Sequence, residues 1–288
     1  MSLDQGVEEA PGTVGARRGG HSPNWSGTSI AATDALMFTQ VVGSWKEPKI
    51  ARVGDSTHES RSSVWIGLNG QRAFDASALP QIGTTQLIEA NAAAAKHYVW
   101  FEWWANTKKT DENIPRRVLP IYINRIFQPG HEVLCCIELV PRNPAIIPGN
   151  PPESLPTVAR MCIKNETTHE FIMPFYVYPP MLRGAGVDVS GSTAEWVVER
   201  PDSLANPDFT LPKFIDSNGD RTPVTFADCV AALAADPGSP ILAEATLNVS
   251  RRVSMIRRRP NQGLVEVIAR TPRQRITDTS FSIDVDGG

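Results

Sequence analysis

The chain has 288 residues, of which 41% are hydrophobic and 20% charged, and its formal net charge is -3. This composition is ordinary for a globular protein, and the charge argues against general affinity for nucleic acid or anionic membrane. No apolar run reaches the length of a membrane span. We therefore expect neither a nucleic-acid partner nor a membrane partner.

The N-terminal residues 1–22 are polar and glycine-rich, which is typical of a flexible segment. They hold no apolar stretch of signal-peptide length, so the location of the protein stays open. Residues 141–156 contain six prolines and predict a long loop, after which no new kind of composition begins. We therefore predict a single domain over residues 23–288.

Short runs of β-branched and aromatic residues alternate with turn signals along the chain, which is typical of an antiparallel β-sandwich. Asn69-Gly70 and Asn218-Gly219 predict tight turns. Phe226–Ala235 has the composition of a short helix. The predicted strands are Thr28–Ala32, Leu36–Trp45, Ser62–Leu68, Gln86–Ala90, Tyr98–Trp104, Val133–Val140, Val158–Lys164, Phe171–Val177, Ala194–Glu199, Val224–Ala227, Ala245–Ile256, Leu264–Ala269 and Phe281–Val285.

The cysteines and histidines show no metal-binding spacing, so we expect neither a metal nor a cofactor. Cys135 and Cys136 are neighbours in a predicted strand and point to opposite faces, which makes them poor partners for each other. With Cys162 and Cys229, they are expected to be buried free thiols, although one bridge stays open.

Four predicted strand segments have an apolar core face and a second face with a different composition when they are read with period two. The second face bears tryptophans, carboxylates and one primary amide, and its residues are Trp65, Gln81, Trp100, Glu102, Trp104, Glu195 and Glu199. So much apolar surface favours a ligand groove over a solvated face. A second packed layer or a subunit contact would also explain it.

Short motifs across residues 24–229 resemble those of the glutamic peptidases (eqolisins, family G1), in the same order. The motifs are Asn24-Trp25-Ser26-Gly27, Phe38-Thr39-Gln40-Val41-Val42-Gly43-Ser44-Trp45, Trp65-Ile66-Gly67-Leu68-Asn69-Gly70, Leu79-Pro80-Gln81-Ile82-Gly83, Trp100-Phe101-Glu102-Trp103-Trp104, Ala194-Glu195-Trp196-Val197-Val198-Glu199 and Phe226-Ala227-Asp228-Cys229. The resemblance implies an all-β sandwich of the concanavalin A-like lectin and glucanase type, with a cleft on its concave face. It also implies a secreted acid peptidase.

The same resemblance implies a function and site residues. Gln81 and Glu199 would form the catalytic pair of a glutamic endopeptidase, a monomer that acts on polypeptides. A glutamate can take a proton from water, and the glutamine amide can donate a hydrogen bond to the oxyanion that develops. The implied substrate-binding residues are Trp25, Trp65, Asn69, Trp100 and Glu102.

Asn69, Thr85 and Tyr98 occupy positions where relatives have acidic residues, so we expect a pH optimum that is less acidic but still below neutral. Two alternatives stay open. One is a non-catalytic sandwich that binds peptides or glycans. The other is a glycoside hydrolase that uses Glu102 and Glu199, whose carboxylate separation would be diagnostic.

Overall fold

The structure is a computed structural model, and it describes residues 8–9, 20–32, 35–54, 57–69, 78–105, 120–123, 127–141, 157–180, 188–201, 210–259, 264–272 and 277–286. Within these residues the only helical element is a 3₁₀ turn at Leu247–Val249. No helix in the described ranges is long and apolar enough to cross a bilayer.

Nineteen strands make up the described fold. In chain order they are β1 (Glu8–Glu9), β2 (Gly20–Ser22), β3 (Trp25–Ala31), β4 (Met37–Lys46), β5 (Lys49–Ala51), β6 (Ser60–Leu68), β7 (Leu79–Ile88), β8 (Lys96–Trp104), β9 (Ile121–Ile123), β10 (Glu132–Pro141), β11 (Thr157–Asn165), β12 (Glu170–Val177), β13 (Thr193–Glu199), β14 (Lys213–Ile215), β15 (Val224–Ala234), β16 (Ala243–Ala245), β17 (Arg251–Arg259), β18 (Leu264–Arg270) and β19 (Phe281–Val285).

Most of the strands form two large, mainly antiparallel sheets, and β5 and β14 pair separately from them. This arrangement confirms the predicted β-sandwich. The first sheet has the order β9-β8-β7-β6-β13-β3-β17-β18-β19. The second has the order β12-β11-β10-β4-β15, and both β16 and β19 pair with β15. The sheets pack face to face, since β4 and β10 of the second sheet contact β6, β7 and β13 of the first.

The core lies between the two sheets and follows the alternation of each strand. In β10, the side chains of Val133, Cys135, Ile137 and Leu139 are buried in the core, and the residues between them are only half-buried. This pattern is expected for a strand with one face on the core and the other toward solvent. Burial of these apolar faces holds the two sheets together.

Trp196 is the largest fully buried side chain of the core. Its indole Nε1 donates a hydrogen bond to the Val42 carbonyl at 2.8 Å, and so ties β13 to β4 of the opposite sheet. The ring lies against Gly43, where a Cβ atom would come within 2.6 Å of Trp196 Cδ1. The motif glycine at residue 43 therefore allows the close approach of this ring.

The predicted helix at Phe226–Ala235 is wrong, because these residues belong to β15. This strand pairs with β4 from the Phe226–Trp45 pair to the Leu233–Phe38 and Ala234–Met37 pairs. A bulge follows Ala227, and Asp228 there has a φ of 52°. The preference of alanine for helix is weak, and long-range pairing in a buried sheet overrides it.

Strands also occur within the segment predicted to be flexible. Gly20–Ser22 forms β2, which runs parallel to β17 over Val253–Met255, and β1 pairs with β2. This pairing joins parts of the chain that are far apart in sequence, so local composition gives no signal for it. The predicted turn at Asn218-Gly219 is present, with Gly219 at a φ of 88°. Residues 142–156 of the predicted proline-rich loop, and Gly70, lie outside the described residues.

Candidate active site

The first sheet has a face directed away from the core, and we call it the tryptophan face after Trp25, Trp65, Trp100 and Trp104. The first three side chains are only 3–4% exposed, and Trp104 packs against them at the edge. Trp25 and Trp65 have ring centroids 6.2 Å apart. This face is a buried aromatic cluster, in contrast to the solvated outer face that is usual for an antiparallel sheet.

Strand register brings four motif residues into one row on the tryptophan face. Glu195 of β13 pairs with Gly67 of β6, Gly67 pairs with Gln81 of β7, and Gln81 pairs with Glu102 of β8. Directly opposed residues point to the same face of a sheet. Because Gly67 has no side chain, Leu79 and Trp65 approach the space where its Cβ atom would be. Glu195 and Gln81 lie on either side of Gly67 in this row. Two strand spacings separate their Cα atoms by about 10 Å.

Two polar groups of this row are strongly buried, and Glu102 is half-buried. Glu195 is fully buried and accepts a hydrogen bond from Thr193 Oγ1 at 3.0 Å, while Gln81 is 3% exposed. The amide Nε2 of Gln81 donates to Glu102 Oε2 at 2.7 Å. Among the described residues, Gln81 Oε1 and Trp100 Nε1 have no hydrogen-bond partner. Unsatisfied buried groups cost about 1–3 kcal/mol each, so this face is suited to bind a polar ligand such as a peptide.

Glu199 lies in a different row, where it pairs with Trp25 of β3 and Ser63 of β6. One carboxylate oxygen accepts a hydrogen bond from Asn24 Nδ2 at 3.1 Å, and the other accepts from Trp65 Nε1 at 2.8 Å. The side chain is 9% exposed. Glu199 therefore holds the indole of Trp65 and the start of β3 in place.

Gln81 and Glu199, the pair that the sequence motifs predict, lie on the same face of the first sheet in different rows. Their rows cross β6 at Gly67 and Ser63, four residues apart along that strand. With two strand spacings across, their Cα atoms are about 17 Å apart. The twist and coiling of the sheet change this separation from its flat-sheet value, so the pair of Gln81 and Glu199 stays a prediction. Glu195 lies in the same row as Gln81, with Gly67 between them. The sequence motifs assign no catalytic role to Glu195.

Two further residues of the predicted site have defined positions. Glu102 accepts the hydrogen bond from Gln81 and so orients its amide. Asn69 is fully buried at the end of β6, where its side chain donates to the Ala78 carbonyl and accepts from the Ser192 amide N–H. Through these contacts Asn69 connects neighbouring chain segments, and its predicted contact with substrate stays a prediction.

Within the described ranges, no group of three or more His, Cys, Asp or Glu side chains is arranged to hold a metal ion. One row on this face holds a carboxylate, a primary amide and a second carboxylate, which belong to Glu195, Gln81 and Glu102. A carboxylate can exchange protons with water, and a fixed amide can donate hydrogen bonds to a developing negative charge. These are the groups that hydrolysis of an amide bond requires.

Comparison with known proteins places the chain beside the glutamic peptidases. Residues 23–117 match the model of the Peptidase A4 family. No curated protein sequence matches the chain. The family match and the search of curated proteins both compare sequences. The solved structures compare the fold.

Two solved structures of scytalido-glutamic peptidase are similar to this fold. One contains a peptide-based transition state analog, with 16% identity and a TM-score of 0.55, and the other a transition state analog inhibitor, with 15% identity and a TM-score of 0.56. A third is SCP-B, a member of the eqolisin family in complex with the tripeptide Ala-Ile-His, with 15% identity and a TM-score of 0.52. Each match covers 91% of this chain and 98% of the other.

At these identities the structural matches show a shared fold, and the family match concerns the N-terminal third of the chain. The family match supports a hydrolase that acts on peptide bonds. The family match and the shared fold confirm the resemblance predicted from the motifs: this chain is similar to the glutamic peptidases.

Proposed function

We propose that the chain is a glutamic endopeptidase whose catalytic pair is Gln81 and Glu195. The observation that carries this proposal is the register row that places these two residues on either side of Gly67, on one face of the sheet. The row supports Glu195 over Glu199, the glutamate that the motifs predict, as the partner of Gln81. Glu199 instead accepts a hydrogen bond from the indole of Trp65 and so supports that side chain.

The geometry supports a simple division of roles in hydrolysis. The Glu195 carboxylate takes a proton from a water molecule, and the water oxygen attacks the carbonyl carbon of the peptide bond. An amide N–H of Gln81 donates a hydrogen bond to the negative oxygen that forms. The protonated Glu195 then gives its proton to the leaving amine. The amide nitrogen of Gln81 has two hydrogens. One N–H can donate a hydrogen bond to the oxyanion while the other keeps its hydrogen bond to Glu102.

The chemical groups of the tryptophan face match those that recognise an extended polypeptide. Trp25, Trp65 and Trp100 are buried aromatic side chains, and the buried atoms Gln81 Oε1 and Trp100 Nε1 are an unsatisfied acceptor and donor that suit a peptide backbone. The structural relatives bind a peptide-based transition state analog and a tripeptide. We expect the same class of ligand here, and an activity optimum somewhat below neutral pH stays a prediction.

Adding a side chain at Gly67 should block catalysis. A Cβ atom there would lie 2.8 Å from Leu79 Cδ1 and 2.9 Å from Trp65 Cζ3, so any side chain must displace Leu79 or Trp65 on the face that holds Glu195 and Gln81. We expect Gly67→Leu to lower kcat/KM by about 100-fold or more, because a misplaced substrate loses catalysis steeply. Gly67→Ala should have a smaller effect. Peptide cleavage rates and thermal melts of both variants would test this, and a folded Gly67→Leu variant with wild-type kcat/KM would show that the row around Gly67 is not the catalytic site.

The proposal as a whole is tested by Gln81→Ala. Loss of an oxyanion donor costs about 10²–10³ in kcat, so cleavage of a peptide library should fall by that factor. Gln40→Ala is the matched control, because Gln40 is a half-buried glutamine on β4 of the other sheet. It should cleave as the wild type does. A Gln81→Ala variant that cleaves as fast as Gln40→Ala would remove Gln81 from the mechanism.

Other functions are less compatible with the register. The glycoside hydrolase alternative needs carboxylates within about 5–10 Å of each other. Glu102 and Glu199 are three strands and four residues apart, which places their Cα atoms about 20 Å apart. A non-catalytic peptide-binding sandwich stays distinguishable by experiment, because it would bind peptides and cleave none at any pH.

A further inference from the structure

A pair of cysteines lies on the second sheet, away from the candidate active site. Cys136 of β10 and Cys162 of β11 are directly opposed partners in the antiparallel register. Their neighbours in sequence, Cys135 and Ile163, are buried in the core, so the two thiols share the outer face of the sheet. Both are half-buried, whereas Cys135 and Cys229 are fully buried, and all four are free.

The geometry of this pair is compatible with a disulfide. Opposed residues in an antiparallel pair have Cα atoms about 4.5 or 5.5 Å apart, and disulfides span Cα distances of about 4.4–6.8 Å. The thiols of Cys136 and Cys162 already form a hydrogen bond with each other. On the other side of β11, β12 has a bulge: Met161 pairs with Phe175 and Ile163 with Ile172, so two residues of β12 oppose Cys162.

The two thiols differ in reactivity. The hydrogen bond from Cys136 and the nearby Arg160 guanidinium lower the pKa of Cys162 to about 7, against the opposing effect of burial. The same hydrogen bond and burial raise the pKa of Cys136. Burial also raises the pKa of Cys135 and Cys229. Since the thiolate is the nucleophile, Cys162 is the cysteine that attacks first.

We propose that Cys136 and Cys162 form a dithiol site that reacts with small disulfides of the glutathione class and closes into a disulfide between β10 and β11. The Cys162 thiolate attacks one sulfur of the small disulfide, whose S–S bond breaks and releases one thiolate. Cys136 then loses its proton and attacks the Cys162 sulfur, which releases the second thiolate. The two leaving thiolates take up the two protons, so the protein dithiol loses two electrons and the small disulfide gains them.

The disulfide would close a ring around the segment from residue 136 to 162, which includes residues 142–156. A crosslink restricts the unfolded chain, and its effect grows with the length of the closed segment. For a ring of this size in a chain of this length, we expect the melting temperature of the oxidised protein to rise by about 5 °C.

The test begins with the fully reduced protein, which is treated with oxidised glutathione at mildly alkaline pH. Peptide mapping without reductant should give one crosslinked peptide that joins Cys136 and Cys162, with Cys135 and Cys229 still free. Cys136→Ser should stop at the first step and keep a glutathione adduct on Cys162. Cys162→Ser should form neither product, and Cys229→Ser serves as the matched control that still forms the bridge.

Two results would overturn the proposal. One is that the wild type keeps four free thiols while melts show it folded. The other is that Cys136→Ser and Cys162→Ser, or the matching alanine variants if a serine variant unfolds, take up equal amounts of glutathione. Peptidase activity is not part of the readout, so the outcome is separate from that of the proposed function.

Discussion

Replacing Glu195 by glutamine is expected to lower kcat/KM for peptide cleavage by about 10²–10⁴-fold, the usual contribution of a general base. The substitution keeps the size of the side chain and removes its ability to take a proton from water. Glu195 is fully buried on the tryptophan face, and its Oε1 accepts from Thr193. The amide oxygen of glutamine can keep this hydrogen bond, so the variant should fold. Initial rates on a peptide library, with melts alongside, give the comparison.

Glu199→Gln is the matched control, since it makes the same change four residues later on the same strand and the same face. Here the carboxylate accepts from Asn24 and Trp65, and the glutamine oxygen can keep one of the two bonds. Loss of the other should lower kcat/KM by no more than about tenfold. If Glu199→Gln is inactive and Glu195→Gln cleaves normally, Glu199 is the base after all, and the assignment from strand register is wrong.

The largest loss of stability is expected for Trp196→Ala. Trp196 is fully buried between the sheets, packs on Gly43 and donates to the Val42 carbonyl. Truncation of such a side chain leaves a cavity and costs about 3–5 kcal/mol, a large part of the total stability of a domain. Trp196→Phe should lose less, because most of the volume stays. Urea denaturation of both variants measures the free energy of unfolding.

Trp104→Ala provides the control for Trp196→Ala. Trp104 lies at the edge of the tryptophan face and is only partly buried, so its removal should cost less than about 2 kcal/mol. An equal or larger loss for Trp104→Ala would mean that the tryptophan face, and not the region between the sheets, is the main core of the protein.

The strands of this fold were largely predictable because each has a clear alternation. In β13, Ala194, Trp196 and Val198 alternate with Glu195, Val197 and Glu199, and the structure places the first three in the core. In β15 the local sequence pattern does not predict a strand, because its alanine-rich run has no alternation. This segment is a strand because it pairs with β4. Such pairing depends on residues far away in sequence, which local patterns do not report.

The candidate site shows the same division between local and long-range information. A period of two places Glu195 and Glu199 on one face of β13, so the sequence indicates that both belong to the site. Which one faces Gln81 depends on the register of β13 with β6 and of β6 with β7. Register is fixed by the pairing of whole strands, and no motif spacing distinguishes the two glutamates. Gly67 is the residue in the sequence that could have indicated this row, because a glycine amid large side chains marks a close approach of neighbouring groups.

The most direct test of the proposed catalytic pair is a crystal structure of this protein with a peptide-based transition state analog whose hydroxyl stands for the tetrahedral oxygen. The measurement is the set of distances from that oxygen to the carboxylates of Glu195 and Glu199 and to the amide of Gln81. We expect hydrogen bonds of about 2.6–3.1 Å to Glu195 and Gln81, and none to Glu199. An analog that binds with its hydroxyl on Glu199 and away from Gln81 would contradict the account.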